Sequence, residues 1–393
     1  MQRPNHILPL IVLSQFAGTS LWFSGNAILP EISKAFQLEK DGLAIVTSSV
    51  LIGFITGTLL YAVTAIADRF KPSIVFFISS LLAAAANLLI LLPQQDFFLL
   101  VLSRLLVGFF LAGIYPVGMK IAAEWYEKGL GKALGYLVGA LVLGTAFPHL
   151  LKQNDWDYNW KHVLQLTSLV AAVGGLIIFL FVPRGPYFKK SSSYSFAAFK
   201  NSFRLPGFRA ASFGYFGHMW ELYAFWAFVP VILNLYINQN GALFNVPLWS
   251  FIVIATGAVG CVVGGYITLR LGSAKVAYAG MLISFCCCLL AAFSFSFPPV
   301  LFLFFLLVWG FAVVADSPQF SSIVAQTAVA ENKGSALTIV TCIGFSITVA
   351  SIYVLNQLFE QWMQSPYVLL ILAPGPLFGL WKLRPLLKIK AFQ

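Results

Sequence analysis

"VGFFLAGIYPVGMK", residues 107–120, reads as an apolar helix interrupted by glycine and proline, and the other half of the chain holds a second copy of it, "WGFAVVADSPQFSS", residues 309–322. Gly108 matches Gly310, Phe109 matches Phe311 and Pro116 matches Pro318. Just beyond, "GKALG" from Gly131 faces "GSALT" from Gly334, and earlier in each half Phe16 and Pro30 face Phe216 and Pro230. Chance supplies one such match readily, but not all of them at nearly one offset. The chain is therefore read as two parallel repeats.

Composition identifies the solvent around those repeats. Of 393 residues, 60% are hydrophobic and only 9% charged, with a mean hydropathy of +0.87, which exceeds what the core of a soluble domain needs. Apolar runs long enough for a hydrocarbon core of ~30 Å fall at 7–29, 43–66, 74–92, 97–119, 133–151 and 163–182, then at 210–236, 246–269, 276–295, 299–324, 336–359 and 367–386. The runs are continuously apolar, and a backbone facing lipid must satisfy its own hydrogen bonds, so helices are expected rather than barrel strands. The expected fold class is all-α: twelve transmembrane helices in two pseudo-symmetric six-helix bundles, 1–183 and 210–393, joined by a linker at 184–209.

An even helix count puts both termini on one side. Of the 24 Lys and Arg, that side holds all but Lys34, Lys40, Lys152 and Lys161 on the opposite side and Arg104 inside the membrane. Both termini are expected in the cytoplasm. The net charge of +11 is then a topology signal, and no soluble basic module offers itself to nucleic acid. Gln15, Trp22 and Asn26 interrupt the first run, and Pro30-Glu31 follows without a small-residue cleavage pattern, so a retained helix is expected rather than a secretory signal. Cys261, Cys286, Cys287, Cys288 and Cys342 all fall inside spans, as small hydrophobes rather than disulfide partners. In the linker, Phe196, Phe199 and Phe203 interleave with Lys200 and Arg204, the pattern of a short amphipathic helix on an anionic leaflet.

Two motifs give the repeats a family. "TAIADRFKP", residues 64–72, resembles the "G-x-L-A-D-R-x-G-R-K" loop of the major facilitator superfamily through Asp68 and Arg69, with Thr64 and Lys71 where the motif has glycines. The echo in the second half, "GGYITLRLGSAK", keeps Gly265, Arg270 and Gly272 but lacks the aspartate. "SRLLVGFFLAG" is similar to the family's "R-x-x-x-G" through Arg104 and Gly108. The resemblance covers essentially the whole chain and implies an alternating-access carrier of two six-helix bundles. It further implies that Asp68 and Arg69 gate conformation and that the first, fourth, seventh and tenth helices line a central cavity. The fifth span carries Gly135, Gly139, Gly144 and Pro148, only loosely like the antiporter signature of drug exporters; close helix packing is the firmer reading.

Polar faces on those four helices are the candidate sites. Gln15, Thr19, Trp22 and Asn26 share one face at 3.6 residues per turn, as do Gly214, His218, Glu221 and Phe225. The fourth helix adds Arg104, Gly108 and Tyr115; the tenth adds Asp316, Ser317 and Gln319 beside Pro318, which should kink it. An acid in hydrocarbon costs roughly 2.5 to 3.5 kcal/mol on insertion scales, and three readings of Glu221 and His218 compete. They form a structural pair, with each other or with Arg104; or they couple protons, since low dielectric favours a neutral carboxyl that loads and releases a proton as solvent access alternates; or, with Asp316, they bind a cationic group or divalent ion. Arg104 is weighed as an internal charge partner, and Trp22, Trp220, Trp226 and Trp309 as packing or as a platform for a planar ligand.

The expected function is secondary active transport of a small solute across the inner (cytoplasmic) membrane. Coupling is expected through Glu221 and His218 with Asp316, and substrate contacts from Gln15, Thr19, Trp22, Asn26, Tyr115, Glu221, Phe225, Asp316 and Gln319. A gradient-independent facilitator or a cation or metal exporter is the alternative, and a sensor or membrane enzyme a more distant one. No enzymatic activity, cofactor, bound metal or nucleic acid is expected; the partners are the solute and the bilayer, and the protein is expected to be a monomer. No "G-x-x-x-x-G-K-[ST]" supports an ATP-driven pump.

Overall fold

The computed structural model describes residues 4–38, 41–93, 96–126, 130–153, 160–188, 196–329, 333–362 and 365–388. Arg3, Lys40, Lys128, Lys189, Lys190 and Lys390, used above for orientation, lie outside the described residues, as do the linker serines at 191–193 and the side chains of Gly131, Phe196 and Lys388. Regular structure among the described residues is entirely helical. Among the described residues eleven helices are long and apolar enough to cross a membrane, and Ile7–Thr19 is a shorter apolar helix. The chain divides into two compact units, Met1–Tyr194 and Ser195–Gln393.

The N-terminal unit contains α1 (Ile7–Thr19), α2 (Gly42–Thr64), α3 (Pro72–Leu88), α4 (Phe97–Leu111 and Tyr115–Trp125), α5 (Leu130–Lys152) and α6 (Lys161–Phe181). The expected unbroken first span stops at Thr19 and resumes as the short helices Ser24–Ala27 and Leu29–Ala35. The cause is local. Thr19 Oγ1 donates back to the Gln15 carbonyl at 2.8 Å, Ser20 Oγ to Ala17 at 2.7 Å and Ser24 Oγ to Leu21 at 2.9 Å. Such back-bonding hydroxyls compete for helix carbonyls and bend the chain. Pro30 then opens the next segment near its first residue, where its missing N–H costs nothing.

The C-terminal unit contains α7 (Pro206–Asn240), α8 (Val246–Leu271), α9 (Ser273–Leu290), α10 (Pro299–Ala315 and Ser317–Thr327), α11 (Lys333–Gln361) and α12 (Pro374–Leu383). A lateral helix, Phe196–Phe203, precedes α7. Phe199 and Phe203 pack inside this unit, Phe199 on Phe208 at 6.2 Å and Phe203 on Phe213 at 5.5 Å between centroids, and Ser202 Oγ accepts from Val329 N. Phe199 and Phe203 thus dock onto the unit's own helices, with Lys200 exposed. α10 is interrupted at Asp316, with Pro318 at the second position of the new segment; α4 is interrupted at 112–114, with Pro116 in the same place.

The repeat visible in sequence is also a repeat of packing. A methyl group added at Gly108 would stand 1.8 Å from the Val50 carbonyl oxygen, and one at Gly310 would stand 2.1 Å from that of Val253. Gly57 stands in the same relation to Phe109 at 2.3 Å, and Gly260 to Phe311 at 2.4 Å. Each unit therefore brings its second and fourth helices together backbone to backbone, which only small residues permit. Gly108→Ala has no room to relax and is expected to cost about 3 kcal/mol. Gly265→Ala, where nothing lies within 4 Å, should change stability by no more than about 0.5 kcal/mol. Thermal unfolding of the two variants in detergent checks the contrast.

Candidate functional site

α7 is continuous through its polar residues, so the spacing of Gly214, His218, Glu221 and Phe225 does place them on one face. That face is a seam against α9 and α10. A methyl group at Gly214 would touch Phe320 Cε1 at 2.6 Å; His218 Nδ1 lies 2.9 Å from Asp316 Oδ1; Phe225 stacks on Trp309 with ring centroids 4.3 Å apart. Glu221 Oε1 accepts from Trp309 Nε1 at 2.6 Å, from Cys288 Sγ at 3.2 Å and from Ser284 Oγ. His218, Glu221 and Asp316 are each 2% exposed.

The partners differ from the pairings weighed in sequence. His218 belongs with Asp316 rather than with Glu221, and Glu221 is held by three neutral donors. Among the described residues no Lys or Arg forms an ion pair with either acid. His218 Nε2 is buried without a hydrogen-bond partner among the described residues. Gln319 Oε1 accepts from Thr268 Oγ1 at 2.8 Å, which ties the second segment of α10 to α8. His218 and Asp316 supply two metal-ligating groups, and no cluster of three His, Cys, Asp or Glu suited to a metal ion occurs among the described residues. Trp220 Nε1 donates to the Ile371 carbonyl at 2.8 Å; with Trp309 stacked on Phe225, these indoles serve internal packing. Cys288, read as a small hydrophobe, is a donor to the buried acid. It and Ser284 are four residues apart on α9, a small polar face that helical spacing makes findable.

In the N-terminal unit the four residues of the α1 stripe are separated by the break, with Gln15 and Thr19 on α1, Trp22 in the turn and Asn26 in the short helix that follows. Gln15 is fully buried, and neither atom of its amide has a partner among the described residues; a methyl group at Gly118 would meet its Oε1 at 2.1 Å. Asn26 Nδ2 donates to Thr47 Oγ1 at 2.6 Å while its Oδ1 is unpaired among the described residues. Trp22 packs on Phe54 at 4.9 Å. Tyr115 opens the second segment of α4.

Arg104 is fully buried, and its guanidinium donates to Ser24 Oγ at 3.0 Å, Asn87 Oδ1 at 2.6 Å and Ser103 Oγ at 3.2 Å. Its hydrogen-bond partners are neutral, and no carboxylate lies within ion-pair distance among the described residues. Neither Ser24 nor Asn87 stands in a polar stripe, so spacing alone does not reveal them. Asp68 pairs with Lys120 of α4's second segment, and Arg69 is exposed. At the other end of the unit Lys152 pairs with Glu31 at 2.9 Å.

Comparison with known proteins extends this picture. The family model described as Major Facilitator Superfamily matches residues 11–351. Among solved structures, the human organic anion transporter MFSD10 (TETRAN) superposes with a TM-score of 0.76 at 15% identity, covering 97% of this chain and 100% of that one. The Escherichia coli fucose:proton symporter FucP superposes with a TM-score of 0.68 at 15% identity, covering 97% and 99%. At such identity the likeness shows the twelve-helix fold and nothing finer. No curated protein sequence matches the chain.

Proposed function

Because the chain belongs to the major facilitator superfamily, we propose that it is a secondary transporter that moves a small solute across the cytoplasmic membrane by alternating access, coupled to protons through Glu221, His218 and Asp316. The observation that carries the coupling is the His218 ring, with Nδ1 at ion-pair distance, 2.9 Å, from Asp316 Oδ1 and Nε2 buried and unpartnered among the described residues. An imidazole placed this way faces a carboxyl with one nitrogen and leaves the other to take or pass a proton once solvent reaches it. Nearby Glu221 is a second buried acid with neutral partners only, and ionisable groups at membrane depth are costly enough to need a use. FucP offers a fold-level parallel for proton coupling; no substrate is carried over from it or from MFSD10.

In the N-terminal unit, Gln15 and Asn26 support a substrate-binding role. A buried polar group without a partner costs roughly 1 to 3 kcal/mol, and a solute bearing hydroxyl, amine or carboxylate groups would recover that cost. The Asp68–Lys120 pair supports the gating role, and the distribution of Lys and Arg supports cytoplasmic termini. A thermal-shift screen against amino acids, organic acids, sugars, metal chelates and drugs tests the proposal, since a ligand that binds only the folded state raises its stability. The expected hit binds with an affinity that changes with pH in the native chain and not in Glu221→Gln. An affinity equally pH-dependent in both contradicts the assignment of Glu221.

A further inference from the structure

The joints of α4 and α10 are the same piece of repeat backbone carrying different chemistry. In the N-terminal unit α1 runs hard against the α4 joint: a methyl group at Gly18 would stand 2.6 Å from Ile114 Cγ2. Ile114 is fully buried, and its carbonyl accepts from Gly118 N at 2.8 Å. In the C-terminal unit His218 of α7 meets Asp316 at the α10 joint, and the Asp316 carbonyl accepts from Gln319 N and Phe320 N, each at 3.0 Å. Ile114 and Asp316 each stand two residues before a repeat proline, Pro116 or Pro318, and Gly18 and His218 each stand two residues after a repeat phenylalanine, Phe16 or Phe216. One contact of the repeat is thus an aliphatic peg in a glycine notch in the first unit and an imidazole on a carboxyl in the second.

We infer that the His218–Asp316 contact is a proton-responsive joint built into the second repeat alone. With the contact made, the segment Ser317–Thr327 is held against α7; with a proton on the Asp316 carboxyl the grip of His218 weakens and that segment pivots at Asp316. The proton comes from water on whichever side the joint is open, and it returns to water on the other; only O–H and N–H bonds change. The Gly18–Ile114 peg has nothing to titrate and holds the first repeat's joint at every pH. Glu221 is anchored by Ser284, Cys288 and Trp309, and the last of these precedes the joint, so Glu221 stays in place while Asp316 moves.

Other titratable groups around the contact, among the described residues, are Tyr215, whose ring centroid lies 6.1 Å from that of His218, and Glu221 on α7, with Cys261 on α8 and Cys288, which donates to Glu221, on α9. On α12, Lys382 lies over the Trp381 ring at 3.9 Å.

The inference rests on the proton-coupled reading, and its test separates the two. His218→Gly with Asp316→Ile writes the first repeat's contact into the second, so the chain should still fold. Gln326→Cys on the exposed last turn of the moving segment, in a chain where the exposed Cys286 is serine and the buried cysteines, Cys288 among them, are kept, reports the joint through maleimide labelling. With His218 and Asp316 present, the labelling rate, divided at each pH by that of the same thiol in the unfolded chain to cancel the thiol's own titration, should change about tenfold between acid and alkaline buffer, a modest shift of a two-state equilibrium. The double variant and Asp316→Asn should show a normalised rate that does not change with pH, while Asp316→Glu should restore the response. A pH response that survives the double variant, or survives Asp316→Asn should the double variant not fold, overturns the joint. Proton-driven accumulation lost in Glu221→Gln but kept in the double variant likewise overturns the joint and cuts the coupled reading back to Glu221 alone; accumulation untouched in both brings down the reading itself.

Discussion

Glu221→Gln is expected to abolish accumulation against a gradient while leaving exchange of the solute intact. The amide oxygen can still accept from Trp309 Nε1, Cys288 Sγ and Ser284 Oγ, the three donors that fix the carboxyl, so the seam between α7, α9 and α10 keeps its packing. What the amide loses is the proton. At one proton per solute, a pH difference of about one unit supports roughly tenfold accumulation. The variant should fall from that ratio to simple equilibration in proteoliposomes, with counterflow of labelled solute preserved. A variant that accumulates like the native chain would remove Glu221 from the coupling machinery and leave it a structural acid.

Arg104→Met is expected to raise stability and lower transport together. The neutral network around Arg104 does not depend on it: Asn87 Oδ1 also accepts from Ser24 Oγ at 2.8 Å, Asn87 Nδ2 donates to the Leu164 carbonyl at 3.1 Å, and Ser103 Oγ donates to the Ala86 carbonyl at 2.7 Å. A guanidinium buried among neutral groups, with Nε unpartnered among the described residues, is desolvated without an anion to offset the loss. Replacing such a group by a well-packed apolar one often stabilises, by about 1 to 4 kcal/mol. Thermal unfolding should therefore move upward. Transport should fall at least about tenfold, the pattern of a group kept for activity at a cost to the fold. A lower unfolding temperature would instead make Arg104 a structural hub.

The architecture was legible because it depends on features that periodicity and punctuation carry. Long apolar runs mark the spans, and the matched glycines and prolines mark the repeat, down to Gly108 and Gly310 lying against the carbonyls of Val50 and Val253. The break after Thr19 was not legible, because it depends on hydroxyls at Thr19, Ser20 and Ser24 choosing backbone carbonyls over water, a choice made only in a dry interior. The site was legible in part. Spacing placed His218 and Glu221 on one face of α7, and Pro318 pointed to the interruption beside Asp316. Spacing within a helix says nothing of what faces it, so the pairing of His218 with Asp316 and the grip of α9 on Glu221 required the packed unit. The four-residue spacing of Ser284 and Cys288 marks a small polar face on α9, but only packing shows that a buried acid lies opposite it.

Proton coupling is the center of the account, and one measurement addresses it directly. The purified protein, in liposomes with a solute found by the stability screen, is given an imposed pH gradient, and the accumulation ratio is followed as the gradient is varied and then dissipated with a protonophore. The account predicts a ratio that grows with the gradient and collapses to equilibration when the gradient is removed. A ratio that stays at equilibration whatever the gradient would contradict it and leave a facilitator of the same fold.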